Sequence, residues 1–177
     1  EHGNALLQID GRGGRVALAY DASGVFVQEE RLSVNDMSDV GKARELSFQA
    51  EYDHGFGTML SFTDANDQKT RFSYDALARL STVIRPGDSE ALPTTSYEYT
   101  LGAPTSVIRE RQRKNSGAEE LETTITHYDG LGRERVVYES AGEGRWSASG
   151  LMRYGVRGWS SFKQRPLFTE SADYREA

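Results

Sequence analysis

The stretch Tyr128-Asp129-Gly130-Leu131-Gly132-Arg133, preceded by Thr124-Ile125-Thr126-His127, decides how this chain is read. Locally it is a strand, a tight turn and a returning strand. Tyrosine ends the incoming strand and packs its ring on the sheet. Aspartate accepts backbone N–H groups at the turn start, and glycine supplies the positive φ. Arginine begins the outgoing strand, where its fork can brace the aspartate or a neighbouring loop. The pattern returns as Tyr74-Asp75-Ala76-Leu77-Ala78-Arg79, and without the arginine as Tyr20-Asp21-Ala22-Ser23-Gly24 and Tyr52-Asp53-His54-Gly55-Phe56-Gly57. Tyr154-Gly155-Val156-Arg157-Gly158-Trp159 is a partial copy with glycine in place of the aspartate. The tyrosines lie 32, 22, 54 and 26 residues apart, more irregular than a strict solenoid repeat.

Outside the motifs the dominant period is two. Leu46, Phe48, Ala50 and Tyr52 share one face, with Ser47, Gln49 and Glu51 on the other. The same alternation runs through Val16 to Tyr20, Thr70 to Tyr74 and Tyr97 to Leu101, the pattern of half-buried antiparallel strands. Only Met37 to Leu46 and Gly117 to Leu121 offer short helical candidates. Turn chemistry recurs at Asp10 to Gly14, Asp64 to Asp67 and Pro86 to Asp88. The charged stretch Arg109 to Glu122 reads as an exposed, mobile hairpin tip. The expected fold is all-β: consecutive antiparallel hairpins forming a curved, twisted sheet. One hairpin cannot bury its apolar face alone, so neighbouring units must stack.

Composition sets the outer limits. At 177 residues the length suggests one structural unit, residues 1–177. Cysteine is absent, which excludes disulfides, thiolate metal sites and a cysteine nucleophile. Twenty-one Lys and Arg against 27 Asp and Glu give a net charge of −6, which argues against nucleic acid as the main partner. No apolar run is long enough for a transmembrane helix. Glu1-His2-Gly3-Asn4 carries no secretory signal pattern and no initiator methionine, so a segment of a longer chain is expected. Eighteen glycines and nine tyrosines with four prolines fit short strands joined by tight turns.

The ordered motifs resemble the Rhs/YD-repeat signature. Tyr128 to Arg133 and Phe72 to Leu80 followed by Val83-Ile84-Arg85-Pro86-Gly87-Asp88 carry it most fully. Leu92-Pro93-Thr94, Tyr97-Glu98-Tyr99, Leu101-Gly102-Ala103-Pro104 and Ser149 to Phe168 follow in the same arrangement as the Rhs-repeat region of B components of bacterial insecticidal Tc toxin complexes. The resemblance is clearest over residues 50–174; Ala78 departs from it, standing where that family has glycine. It implies a wall segment of a hollow β-shell that encloses a toxic polypeptide and delivers it through a partner channel. It further implies a secreted bacterial protein whose partners are neighbouring YD repeats, the enclosed toxin and a translocation component. The expected structural motif residues are Tyr20, Asp21, Tyr52, Asp53, Tyr74, Asp75, Arg79, Tyr128, Asp129, Gly130, Gly132 and Arg133. No catalysis, cofactor or metal is expected.

Sharper chemical readings are weaker. Gly11-Arg12-Gly13-Gly14-Arg15 precedes a strand, whereas a phosphate loop opens a helix. Asp64-Ala65-Asn66-Asp67 has Gln68 and Lys69 where a calcium loop needs a fifth-position ligand and a glycine. His2, His54 and His127 are scattered, and nothing gathers a Ser-His-Asp set. Carboxylate pairs such as Asp53 with Asp64 or Asp75 with Asp129 would suit a glycosidase, but a repeated residue fits a repeated structural job better. The alternative to a shell segment is a cell-surface binding module contacting carbohydrate or protein through exposed aromatics, with Tyr97, Tyr99, Trp146 and Trp159 as the contact residues. A hydrolase hidden in the loops is a third and weaker reading.

Overall fold

The computed structural model describes residues 3–11, 13–35 and 43–174. The chain forms two compact units, Glu1–Pro86 and Gly87–Ala177. Unit 1 contains β1 (Leu7–Ile9), β2 (Arg15–Tyr20), β3 (Val27–Asn35), β4 (Ala43–Tyr52), β5 (Met59–Thr63), β6 (Lys69–Tyr74) and β7 (Leu80–Ile84), each antiparallel to the strand before it. Unit 2 contains β8 (Thr95–Thr100), β9 (Ser106–Arg113), β10 (Leu121–Tyr128), β11 (Glu134–Ser140) and β12 (Trp146–Ser149), paired in the same way. Its β13 (Met152–Tyr154) and β14 (Ser160–Lys163) make a separate hairpin, and β15 (Leu167–Thr169) pairs with β12. The described residues contain no helix, and the fold is all-β, built of consecutive antiparallel hairpins.

Period two decides the ambiguous stretches. From Ala43 onward the first helical candidate is strand β4; its start, 37–42, lies outside the described residues. In the second, 117–120 are turn and loop, and Leu121 opens β10. Arg109 to Glu122 is not a loose tip. Strand structure reaches Arg113 and resumes at Leu121, and Arg113 is buried. The turn between them is anchored, because Asp88 accepts from the Ser116 hydroxyl at 3.0 Å and the Gly117 N–H at 2.9 Å.

Register sorts the unit 1 side chains onto two faces. Val16, Leu32 and Leu46 form one row; Leu18, Glu30 and Phe48, then Ala50, Phe62 and Thr70, continue the same largely apolar face, which Phe72 and Val83 extend. The Phe48 and Phe62 rings stack at 6.2 Å. The other face carries Glu29, Gln49, Thr63 and Lys69 in one row and Glu51, Ser61 and Arg71 in the next. Among the described residues, the strands these strands contact are their neighbours in the sheet. The apolar side of unit 1 therefore stays half-buried, and Ile84 is the only fully buried apolar residue among those described there.

Unit 2 closes its apolar face with its own chain. Ile125, Val136, Tyr138 and Ala148 form a buried cluster on one face of β10, β11 and β12, flanked by Val107, Trp146 and Leu151. Ala172 and Tyr174, beyond β15, pack on the same cluster.

Candidate functional site

The repeated Tyr-Asp turn recurs with one geometry in its two arginine-bearing copies and in the Tyr154 copy, whereas the Asp21 and Asp53 turns are one residue longer. In the turn at 129–133 the Asp129 N–H donates to Arg133 O and the Gly132 N–H to Asp129 O, both at 2.9 Å. The turn at 75–79 repeats this with Asp75, Ala78 and Arg79, and that at 155–159 with Gly155, Gly158 and Trp159. The fourth residue is left-handed each time, with φ of 57° at Ala78, 73° at Gly132 and 79° at Gly158. The positive φ thus falls on Gly132 and not on Gly130. A register shift sits immediately before the motif tyrosine in all five copies, at Tyr20, Tyr52, Tyr74, Tyr128 and Tyr154. A tight turn with one left-handed residue and an adjoining bulge is a standard short hairpin closure.

The aspartate side chains accept backbone N–H groups within their own turns. Asp129 Oδ1 accepts the Leu131 and Arg133 N–H groups at 2.9 and 3.0 Å, and Asp75 Oδ1 accepts those of Leu77 and Arg79 at the same distances. Asp53 takes Gly55 and Phe56, and Asp21 takes Val25 and Phe26 together with the Ser23 hydroxyl. The free oxygen of the full motif holds arginine: Arg133 Nε and Nη2 reach Asp129 Oδ2 at 2.8 and 2.7 Å, and Arg79 reaches Asp75 at 2.7 Å through both atoms. Such a fork adds geometry as well as charge. The Arg79 hydrogen bond, then the backbone donors, hold the Asp75 carboxyl below the usual carboxylate range. At Asp129 burial opposes ionisation, but Arg133 and the backbone donors outweigh it and the pKa is again lowered.

Tyrosine links one hairpin to the previous one. Tyr74 OH donates to Met59 O at 2.8 Å, Tyr154 OH to Glu134 O at 2.9 Å and Tyr20 OH to Ala5 O at 3.2 Å. Met59 and Glu134 each open the strand that leaves the preceding Tyr-Asp turn. Tyr52 makes the same link by stacking on Phe26 at 4.8 Å. The Arg133 guanidinium also lies over the Tyr154 ring at 4.1 Å. The motif therefore shapes a turn, and at Tyr20, Tyr52, Tyr74 and Tyr154 its tyrosine also docks that hairpin on the chain before it.

The four aromatics considered for ligand contact are not gathered. Tyr97 and Tyr99 lie on one face of β8, Trp146 on the opposite face of the sheet against the buried cluster, and Trp159, 78% exposed, at the tip of the β13–β14 hairpin. His127 is buried, with both ring nitrogens engaged, whereas His54 is exposed 3.5 Å from Asp21; His2 lies outside the described residues. Asp64 accepts the Asn66 and Gln68 N–H groups as a turn residue, and no metal-binding cluster occurs among the described residues. Sequence reading missed two contributors. Phe26 is one; a β-rich aromatic beside a Tyr-Asp turn was its only signal. Asp88 is the other, holding Thr94, Ser116 and Gly117 beside buried Arg113, contacts that arise only in three dimensions.

No protein-family model and no curated protein matches the chain. Solved structures do. The crystal structure of TcdB2-TccC3 without its hypervariable C-terminal region matches with a TM-score of 0.70 at 14% identity, over 96% of this chain and 12% of that one. TcdB2-TccC3-Cdc42 matches with 0.68 at 15%, over 94% of this chain and 12% of the other. TcdB2-TccC3-TEV gives 0.68 at 15%, over 98% and 13%. This chain has their fold. At the level of fold, the resemblance read from the motifs is borne out.

Proposed function

We propose that the chain is a non-enzymatic wall segment of an Rhs/YD-repeat shell, part of a secreted bacterial toxin-type protein whose shell encloses a toxic polypeptide and helps deliver it. The observation that carries the reading is the repeated motif. Each Tyr-Asp turn closes one hairpin, and Tyr20, Tyr52 and Tyr74 fasten theirs to the chain before, a device that can extend a wall from repeat to repeat. Two features support it further. Among the described residues, no strand forms a second layer on the apolar face of unit 1, as a lining would have none. The structures of like fold are roughly eight times longer than this chain, so 1–177 reads as one piece of such a wall. On this reading Tyr20, Tyr52, Tyr74, Tyr128 and their aspartates, with Arg79, Arg133, Gly130 and Gly132, have structural roles, and the partners are adjoining repeats, the enclosed toxin and a translocation component.

The 177-residue chain expressed alone tests this. An open sheet with an uncovered apolar face self-associates, so light scattering is expected to give particles well above 19.7 kDa that bind an apolar dye. A monodisperse 19.7 kDa species with saturable sugar binding would replace the wall with a surface binding module.

A further inference from the structure

The chain after β15 leaves the sheet ladder and crosses the apolar face of unit 2, where side chains tie it down. His127 is 5% exposed; its Nε2 donates to Ala172 O at 2.9 Å and its Nδ1 accepts from the Thr105 hydroxyl at 3.0 Å. This tautomer is forced, because a carbonyl can only accept. Tyr138 OH donates to Asp173 O at 3.0 Å, and Arg135 Nη2 to Tyr174 OH at 2.6 Å. The imidazole lies between the Tyr138 and Tyr174 rings, at 5.6 and 5.8 Å.

We infer that Glu170–Tyr174 is a strap which neutral His127 clips over the apolar face of unit 2, and that protonation of His127 releases it. A second ring proton would turn the Thr105 hydroxyl from donor to acceptor and leave a full charge on a ring only 5% exposed. The charged groups around the ring do not compensate. Arg109 of β9 borders the same hollow and pairs with Glu98 of β8, Arg135 of β11 is held by Tyr174, and Asp173 of the strap is the one acid favouring the charge. Burial outweighs Asp173 and keeps the imidazole below its ordinary value. Lifting the strap returns the ring to water, so the strapped state loses stability as pH falls below about 6.5.

Hydrogen exchange of the intact protein, read by mass spectrometry on the peptide covering 166–174 and corrected for intrinsic rates, tests the strap. Between pH 7.5 and 5 its protection is expected to fall, by about tenfold per unit once His127 protonates in the open state, while the peptide covering 106–113 keeps its protection. His127→Gln keeps a donor for Ala172 O without a titrating group and is expected to abolish the pH dependence. Should that variant misfold, Thr105→Val leaves Nδ1 without its donor and is expected to move the opening to higher pH. Protection that does not change with pH, an unaltered dependence in His127→Gln, or an unmoved midpoint in Thr105→Val would each overturn the inference.

Discussion

Position four of the Tyr-Asp turn shows how one residue sets a turn's cost. Ala78 sits at φ 57° where Gly132 sits at 73°, and a left-handed L residue costs about 1–2 kcal/mol, partly offset by the chain entropy that glycine loses. Ala78→Gly is therefore expected to stabilise its hairpin by about 0.5–1 kcal/mol, and Gly132→Ala to destabilise the other by a similar amount, both read as shifts in urea midpoint. The aspartates carry the pH dependence. Because their folded pKa values are lowered, their contribution is complete above the ordinary aspartate value of about 3.9 and is lost as pH falls through the lowered values. Asp75→Asn and Asp129→Asn are expected to flatten the acid limb of stability below about pH 4; acid curves that overlay the parent's would contradict this.

At the scale of the element, the hairpin closes itself and then reaches back to the one before. Tyr74→Phe and Tyr154→Phe leave the Met59 and Glu134 carbonyls without their hydroxyl donors, at an expected cost of about 1 kcal/mol each. Arg133 both grips Asp129 and covers the Tyr154 ring. A double-mutant cycle between Arg133 and Tyr154 is thus expected to give about 0.5–1 kcal/mol of coupling, and zero coupling would remove Arg133 from the link between hairpins. Much of this was legible in the sequence. Asp, Gly and Arg at fixed offsets have local physical reasons, and alternation placed Leu46, Phe48 and Ala50 on one face. What was not legible is relational. The bulge before each tyrosine depends on the partner strand. The carbonyl that Tyr74 meets lies 15 residues back, and Arg113, charged and in a polar stretch, is buried because Asp88 arrives from another loop.

At the scale of the molecule, the two units meet the same difficulty differently. Each sheet presents an apolar face; unit 2 seats its own strap on that face, while among the described residues of unit 1 the strands contact their sheet neighbours alone. A wall that continues into further repeats accounts for both, since lining residues need no second layer of the same sheet. The most direct test is a cryo-electron-microscopy structure of the natural protein at its full length. A closed β-shell is expected in which these hairpins form part of the wall, with Val16, Leu32, Leu46, Phe48 and Phe62 turned toward the interior. A compact domain with a second layer packed on that face, or a natural chain ending at these 177 residues, would contradict it.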